Sequence, residues 1–396
     1  MLRHLPKLLI LGALALPGIA QAKIPKDMVK IGVLQDLPGP FSAETGNGGI
    51  VAAQMAAAAY ETEHVHGDAE ILPHVSQGGV QDDLEKVREW LDVEHVAAVV
   101  SSAPAVVNAR IARMVAKRHV TLLVAATDAE MGGAKCSPNA VVWGAGPDGR
   151  ARALAKALAS QAGKQWFIVA AQDSASLAEQ KALQQAVSAD GGKVVGTLEH
   201  PIGEADMRKA QPKIEESGAQ VLALVETGPD LIAALRSVKL SGLSHRVTVV
   251  APWASIGDVD AAGPAVAAGV LVPAPFYWDA DAQTVRFALK WSSRMLDQPV
   301  TENSAEVYAA VLSFLHAAKA ADDVSAEKVL AELRRAPIKH TMFGTVSVRK
   351  DGRVVYDMSV YQVKQPNQVQ NRWAYYTRFA NVPGTQAFPP SECQGK

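Results

Sequence analysis

Residues 29–60 read VKIGVLQDLPGPFSAETGNGGIVAAQMAAAAY, and this stretch decides the fold. Lys30 to Leu34 is a short apolar run rich in Val and Ile, the pattern of a buried parallel strand. Asp36-Leu37-Pro38-Gly39-Pro40 can neither continue a strand nor open a helix. From Gly46 to Tyr60 the chain is small, apolar and Ala-rich, which favours helix. Strand, loop, helix is half of a βαβ unit. In an open α/β sheet, the loop at the strand's carboxyl end is where a ligand is met.

Working outward, the same unit recurs. Ala69–Val75, Val96–Val100 and Val120–Ala125 read as strands, with helices over Val80–Val93 and Val106–Arg118. Ala140–Trp143 is a short strand that leaves a loop over Gly132–Asn139. A second series then begins. Its strands are expected at Trp166–Ala170, Lys193–Glu199, Val221–Val225, Val247–Ala251 and Ala268–Val272. Its helices are expected at Asp148–Ala162, Leu177–Asp190, Ala205–Ser217, where Pro212 should kink the helix, and Pro229–Leu240. Thr284–Leu296, Ser304–Ala321 and Ser325–Arg335 are amphipathic helices, the last with Ser325 as expected N-cap. Met342–Arg349 and Arg353–Lys364 alternate around the hairpin dipeptide Asp351-Gly352, and Trp373–Lys396 reads as irregular. Successive βα units predict an α/β protein of doubly wound parallel sheets covered by helices on both faces.

Composition bounds the function. The chain has 396 residues, enough for two domains, with 48% apolar and 20% charged residues. Net charge is −1 with lysines and arginines dispersed, which gives no electrostatic case for a nucleic-acid partner. Residues 1–22 have the marks of a signal peptide: a positive start at Arg3, His4 and Lys7, an apolar core over Leu8–Leu16, and a small-x-small site, Ala20-Gln21-Ala22. The core is about half of what spans a bilayer, so cleavage after Ala22 and export to the periplasm are expected. In an exported protein the two cysteines, Cys136 and Cys393, are read as a disulfide.

Other motifs carry less. Gly46-x-Gly48-Gly49 lacks the last glycine of a dinucleotide fingerprint, since Val51 stands there. His64-Val65-His66 with Asp68 lies in a polar stretch without a distant Cys or His, so it reads as solvated rather than metal-binding. Ser325-x-x-Lys328 has a catalytic spacing but opens an amphipathic helix. No nucleophile elbow or zinc-protease motif occurs, so neither cofactor nor metal is expected.

Several ordered segments resemble the type I periplasmic ligand-binding proteins of ABC importers, in the branched-chain amino acid and aromatic-acid branch. They are Ile31-Gly32-Val33-Leu34 with Asp36–Phe41, Gly133-Ala134-Lys135-Cys136-Ser137-Pro138-Asn139, Phe276-Tyr277-Trp278-Asp279, Glu306–Leu312, Arg349–Arg353 with Asp357-Met358, and Trp373–Tyr376 through Phe388 to Cys393. The resemblance implies two α/β lobes joined by three hinge strands, with crossovers near 143–148, 273–278 and 341–346. Lobe I would hold residues 23–145 and 276–342, lobe II residues 146–275 and 343–365, followed by a tail over 366–396.

In such a protein a ligand sits between the lobes. The resemblance implies that a ligand carboxylate is held after strands three and four near helix starts, here Ser101, Ser102, Ala103, Thr127 and Asp128. Ser101 and Ser102 read equally well as caps of the next helix. Lobe II would supply Gln172, Asp173, Ser174, Glu226, Thr227 and Trp253. Glu226 and Asp173 suit an ammonium, and Arg150 or Arg152 a carboxylate. Phe41, Trp143, Trp253, Phe276, Tyr277 and Trp278 are candidates to wall an apolar or aromatic ligand, Trp278 also reading as hinge packing.

The expected function is a monomeric solute-binding protein that hands an amino acid or a small aromatic or aliphatic carboxylate to a membrane ABC permease. A sensor of the same fold and an exported hydrolase are the rivals. One expectation is checked by thiol titration of the unreduced, denatured protein: no free thiol should appear, and two would refute the Cys136–Cys393 bond.

Overall fold

A computed structural model describes residues 28–36, 45–63, 68–126, 136–159, 164–205 and 207–389. Five parallel strands form the first sheet: β1 (Val29–Asp36), β2 (Ala69–Ser76), β3 (Ala98–Ser101), β4 (Thr121–Val124) and β5 (Ala140–Val142), in the order β2-β1-β3-β4-β5. Between them run α1 (Asn47–Glu63), α2 (Val80–Asp92) and α3 (Ala105–Ala116). β1 shows why the sheet is covered twice. Ile31 and Val33 point into one apolar cluster with α1, and Leu34 into another with α2 and α3. Gly32 is needed because Trp90 of α2 lies flat on it: a Cβ there would stand 2.5 Å from the indole.

α4 (Gly146–Ala159) opens the second lobe, followed by β6 (Gln165–Ala171), α5 (Ser174–Ala189), β7 (Lys193–His200), α6 (Met207–Ser217), β8 (Val221–Val225), α7 (Gly228–Leu240), β9 (Thr248–Val250), α8 (Ile256–Ala262), α9 (Pro264–Ala267) and β10 (Leu271–Ala274). Pro212 lies inside α6. The chain then returns to the first sheet with α10 (Ala282–Ser292), α11 (Glu302–Ala321) and α12 (Ala326–Arg335); α11 packs along α1. Ser325 occupies the N-cap position of α12, but its side chain makes no capping bond.

β11 (Ile338–Thr341), β12 (Gly344–Val348) and β13 (Val354–Val355) form a small antiparallel sheet, and Asp351-Gly352 turns the last pair. β14 (Met358–Val363) and β15 (Tyr376–Val382) complete a seven-stranded sheet, β15-β14-β10-β9-β8-β6-β7, before α13 (Gly384–Ala387). The tail therefore departs from the irregular reading. β15 pairs antiparallel with β14 from Tyr376 to Val382, because an edge strand needs only one partner and one apolar face. The third passage between sheets also falls later than residues 341–346. Arg353 still bridges Val142 beside the first sheet, and the chain enters the second only at β14.

The passages are packed, not loose. Trp143, Phe276, Phe343, Tyr356 and Phe388 form a run of ring contacts with centroids 5.0–6.3 Å apart. Tyr356 donates its hydroxyl to the Trp143 carbonyl at 2.5 Å, and Val142 N–H donates to the Gly352 carbonyl at 2.8 Å. Gly352 has φ +84°, and a Cβ on it would lie 2.4 Å from the Ala140 carbonyl oxygen. Gly352→Ala should therefore lower stability by at least about 1 kcal/mol, read from the urea midpoint; an unchanged midpoint would contradict the close approach.

Candidate functional site

The candidate residues gather at the carboxyl ends of the parallel strands. In the first lobe, Gln35 is the last residue but one of β1, β3 ends at Ser101 and runs into Ser102-Ala103, and β4 runs into Ala125-Ala126. Phe41, Thr127 and Asp128 lie outside the described residues, as do His64, His66, Cys393 and residues 1–22. Ser101, Ser102 and Ala103 are all buried. Ser101 Oγ accepts from Ala103 N–H at 3.3 Å, a local turn. Pro104 is the N-cap of α3, so neither serine is the cap.

Ser102 has a different environment. Its Oγ accepts from Gln35 Nε2 at 2.9 Å and from Asn303 Nδ2 at 2.8 Å. The Ala125 carbonyl also accepts from the Asn303 NH₂ at 2.5 Å, which orients that amide, and the Leu34 carbonyl lies 3.4 Å from the Gln35 NH₂; Gln35 Oε1 and Asn303 Oδ1 have no hydrogen-bond partner among the described residues. A hydroxyl has two lone pairs and one hydrogen. Both lone pairs are filled, so its hydrogen is left to donate, and no acceptor for it occurs among the described residues.

In the second lobe the matching edge holds Gln172 after β6, His200 at the end of β7, Glu226 after β8 and Trp253 after β9. Gln172 and Ser174 are exposed. Asp173 is committed: as N-cap of α5 it accepts from Ala175 and Ser176 N–H, both at 2.9 Å, and from the Ser176 hydroxyl at 2.7 Å. Thr227 is the N-cap residue of α7 and makes no side-chain cap.

Glu226 is fully buried and pairs with His200, Oε1 to Nε2 at 3.0 Å. That hydrogen bond raises the His200 pKa to about 9, against the opposing effect of burial. Burial pushes Glu226 up, with His200 pulling it back. Asp230 adds negative charge nearby and holds Gly203 N–H with both oxygens, at 2.8 and 3.1 Å.

Arg150 does meet a carboxylate, but it is the protein's own. Its guanidinium pairs with Glu302 in the first turn of α11 and donates to the carbonyls of Pro252 and Pro273 at 3.3 and 3.0 Å. It also stands over the Trp253 ring, 5.3 Å from the centroid. Glu302 is pushed up by burial and held down by Arg150. Glu302 belongs to the first lobe and Arg150 to the second. Its neighbour Asn303 grips Ser102, so two consecutive residues tie both strand edges together. Arg152 is half-buried on α4.

The aromatic candidates divide. Trp253 is buried under Arg150 at the second edge. Trp143 and Phe276 sit in the ring cluster between the sheets. Tyr277 is turned away from the edges: its ring packs on Tyr361 and Tyr376, and its hydroxyl donates to the Trp373 carbonyl at 3.2 Å. Trp278 Nε1 donates to the same carbonyl at 2.8 Å, a packing role. Cys136 is buried ahead of β5 and is not a free thiol. Among the described residues, no group of three or more His, Cys, Asp or Glu gathers to hold a metal ion, and no helix is long and apolar enough to cross a membrane.

Gln35, His200, Glu302 and Asn303 were not legible as site residues. His200 carried the only usable signal, a histidine closing a strand ahead of Pro201.

Two lobes of parallel sheet, tied at their strand edges by the start of α11, are the architecture of a two-lobed binding protein. The chain belongs to the periplasmic binding protein family, whose profile matches residues 28–368. It is similar to a periplasmic binding protein from Burkholderia mallei, 26% identical with a TM-score of 0.80, covering 93% of this chain and 98% of that one. A branched-chain amino acid ABC transporter periplasmic ligand-binding protein from Burkholderia xenovorans LB400 is 25% identical with a TM-score of 0.84, covering 92% and 99%. A solute-binding protein of an ABC transporter from R. palustris, in complex with benzoate, shares the fold at 14% identity and a TM-score of 0.71, covering 90% and 97%. No curated protein matches the chain.

The His200–Glu226 pair gives a pH signature. A histidine whose pKa rises from 6.5 to about 9 on folding adds stability that is fully present below 6.5 and lost as pH climbs through 9. The melting-temperature gap between wild type and His200→Gln should shrink across that window. A constant gap would show that His200 is uncharged in the folded protein.

Proposed function

We propose that this protein is an exported, monomeric solute receptor of an ABC importer that closes its two lobes on a small carboxylate and delivers it unaltered to a membrane permease. The observation that carries this is Ser102: a buried hydroxyl at a strand's carboxyl end, with both lone pairs occupied, can only donate. Its counterpart is an acceptor oxygen, and a carboxylate makes that bond charge-assisted. Ser101 and Ala103 flank it, and Trp253, buried under Arg150 just after β9, is the candidate apolar wall from the second lobe. Phe41, Thr127, Asp128, Gln172, Ser174 and Phe276 remain candidates for the outer contacts. Tyr277, Asp173 and Arg150 serve the scaffold through the bonds described above.

Closure is a hinge motion about three passages, near Trp143–Ala145, Phe276–Asp281 and Tyr356–Asp357. A branched-chain amino acid binder and a benzoate binder share this fold, which supports a small organic acid as the cargo. The signal segment and the Cys136–Cys393 bond fit the same compartment. Arg349 holds the Phe388 and Pro389 carbonyls at 2.7 and 2.8 Å, which keeps Pro389 beside the hinge hairpin, a few residues before Cys393 in the sequence.

A melting-temperature screen over amino acids, aromatic acids and short aliphatic acids should find a carboxylate that stabilises the protein by mass action. Ser102→Ala should weaken that ligand at least tenfold, about 1.4 kcal/mol, by calorimetry. Equal affinity would remove Ser102 from the site. Unaltered import of the ligand by a deletion strain would favour the sensor, and turnover of the bound ligand the hydrolase.

A further inference from the structure

Among the described residues at the carboxyl ends of the seven-stranded sheet's strands, one buried acidic oxygen is not used by the fold. Asp173 caps α5, Asp230 holds Gly203, and Asp258 closes the capping box of α8 with Ser255. Glu226 is different. Oε1 meets His200, while Oε2 has no hydrogen-bond partner among the described residues although the side chain is 0% exposed. It sits just past β8, between the turn at Gln172, whose N–H donates to the His200 carbonyl, and the turn at Pro252-Trp253 that Arg150 pins.

The charge of the pair follows from its neighbours. His200 Nδ1 lies 2.8 Å from the Pro201 carbonyl, and Nε2 lies 3.0 Å from a carboxylate. Neither oxygen can donate while Glu226 is ionised, so both ring nitrogens must, which makes the ring an imidazolium. The pair is then neutral as a whole, with one lone-pair oxygen open.

We propose that His200 sets the ligand class: it cancels the charge of Glu226, so that Oε2 receives an uncharged donor such as a hydroxyl, and an α-ammonium group is excluded. A hydroxyl gives one hydrogen to one open oxygen and brings no charge. An ammonium would bring a second cation beside a buried imidazolium, and would leave water to do so. The cargo is thus a hydroxy-carboxylate, its acid end on Ser102 and its hydroxyl on Glu226. This rests on the reading of Ser102 given above.

Matched compounds test it on the purified mature protein by calorimetry: leucine, 2-hydroxy-4-methylpentanoate and 4-methylpentanoate, with phenylalanine, phenyllactate and 3-phenylpropanoate as a second series. The wild type should bind a hydroxy acid at least tenfold more tightly than its amino acid. His200→Gln should reduce that ratio at least tenfold, because Glu226 is then an unbalanced anion. Glu226→Gln should keep the amino acid excluded, and it supplies the reading should His200→Gln fail to fold. A wild type that prefers the amino acids overturns the inference and leaves the carboxylate site standing, as does an amino-to-hydroxy ratio equal in all three proteins. If none of the six carboxylates binds, the reading of Ser102 falls, and the inference with it.

Discussion

The start of α11 is where the two halves of the molecule are joined chemically. Glu302 reaches Arg150 in the second lobe, and Asn303 reaches Ser102 and the Ala125 carbonyl in the first. Removing one partner of a buried ion pair costs about 3–5 kcal/mol, a large part of the roughly 5–15 kcal/mol by which a domain is stable. The pair does more than hold. Arg150 also pins Pro252 and Pro273 and supports the Trp253 ring, so the shape of the second edge depends on a carboxylate of the first. Glu179 underlines how dry this region is. Both its oxygens are buried without hydrogen bonds among the described residues, and burial raises its pKa well above the usual carboxylate range despite Arg150 nearby.

Around that tie the apolar packing is continuous. One cluster runs from α1 and α11 through Trp143, Phe276, Phe343 and Tyr356 to α4 and α5. The passages are therefore constrained by side chains that belong to neither sheet alone. Close-packed interiors do not deform smoothly. The closure proposed above therefore has to pivot on short backbone segments and leave the ring cluster intact.

Much of this architecture was legible. The alternation in Ile31-Gly32-Val33-Leu34, both faces apolar with a glycine for Trp90, is a local pattern with a local cause. The serines after β3 were legible as candidates for the same reason: strand ends are marked by where the apolar run stops. The pairs that give the site its chemistry were not. Gln35 and Ser102 are 67 residues apart, Asn303 and Ser102 201, Arg150 and Glu302 152. Arg150 had the right chemistry and the wrong partner, because a sequence shows that an arginine wants a carboxylate but not whose. β15 escaped notice for a related reason. Its residues alternate weakly, and the bonds that make it a strand come from β14.

The two edges also differ in kind, and that difference has a direction. The first lobe offers a donor, since Ser102 has its lone pairs filled by two amides. The second offers an acceptor, since Glu226 has one oxygen bonded and one open. A guest that bonded the same way to both would leave one of them buried and unsatisfied, at a cost of about 1–3 kcal/mol. A guest with an acceptor at one end and a donor at the other satisfies both only in one orientation, and only when the lobes are close enough for it to touch both. On the proposed reading of Ser102 and Glu226, orientation and closure are then one requirement, set by the hydrogen-bond polarity of the two strand edges.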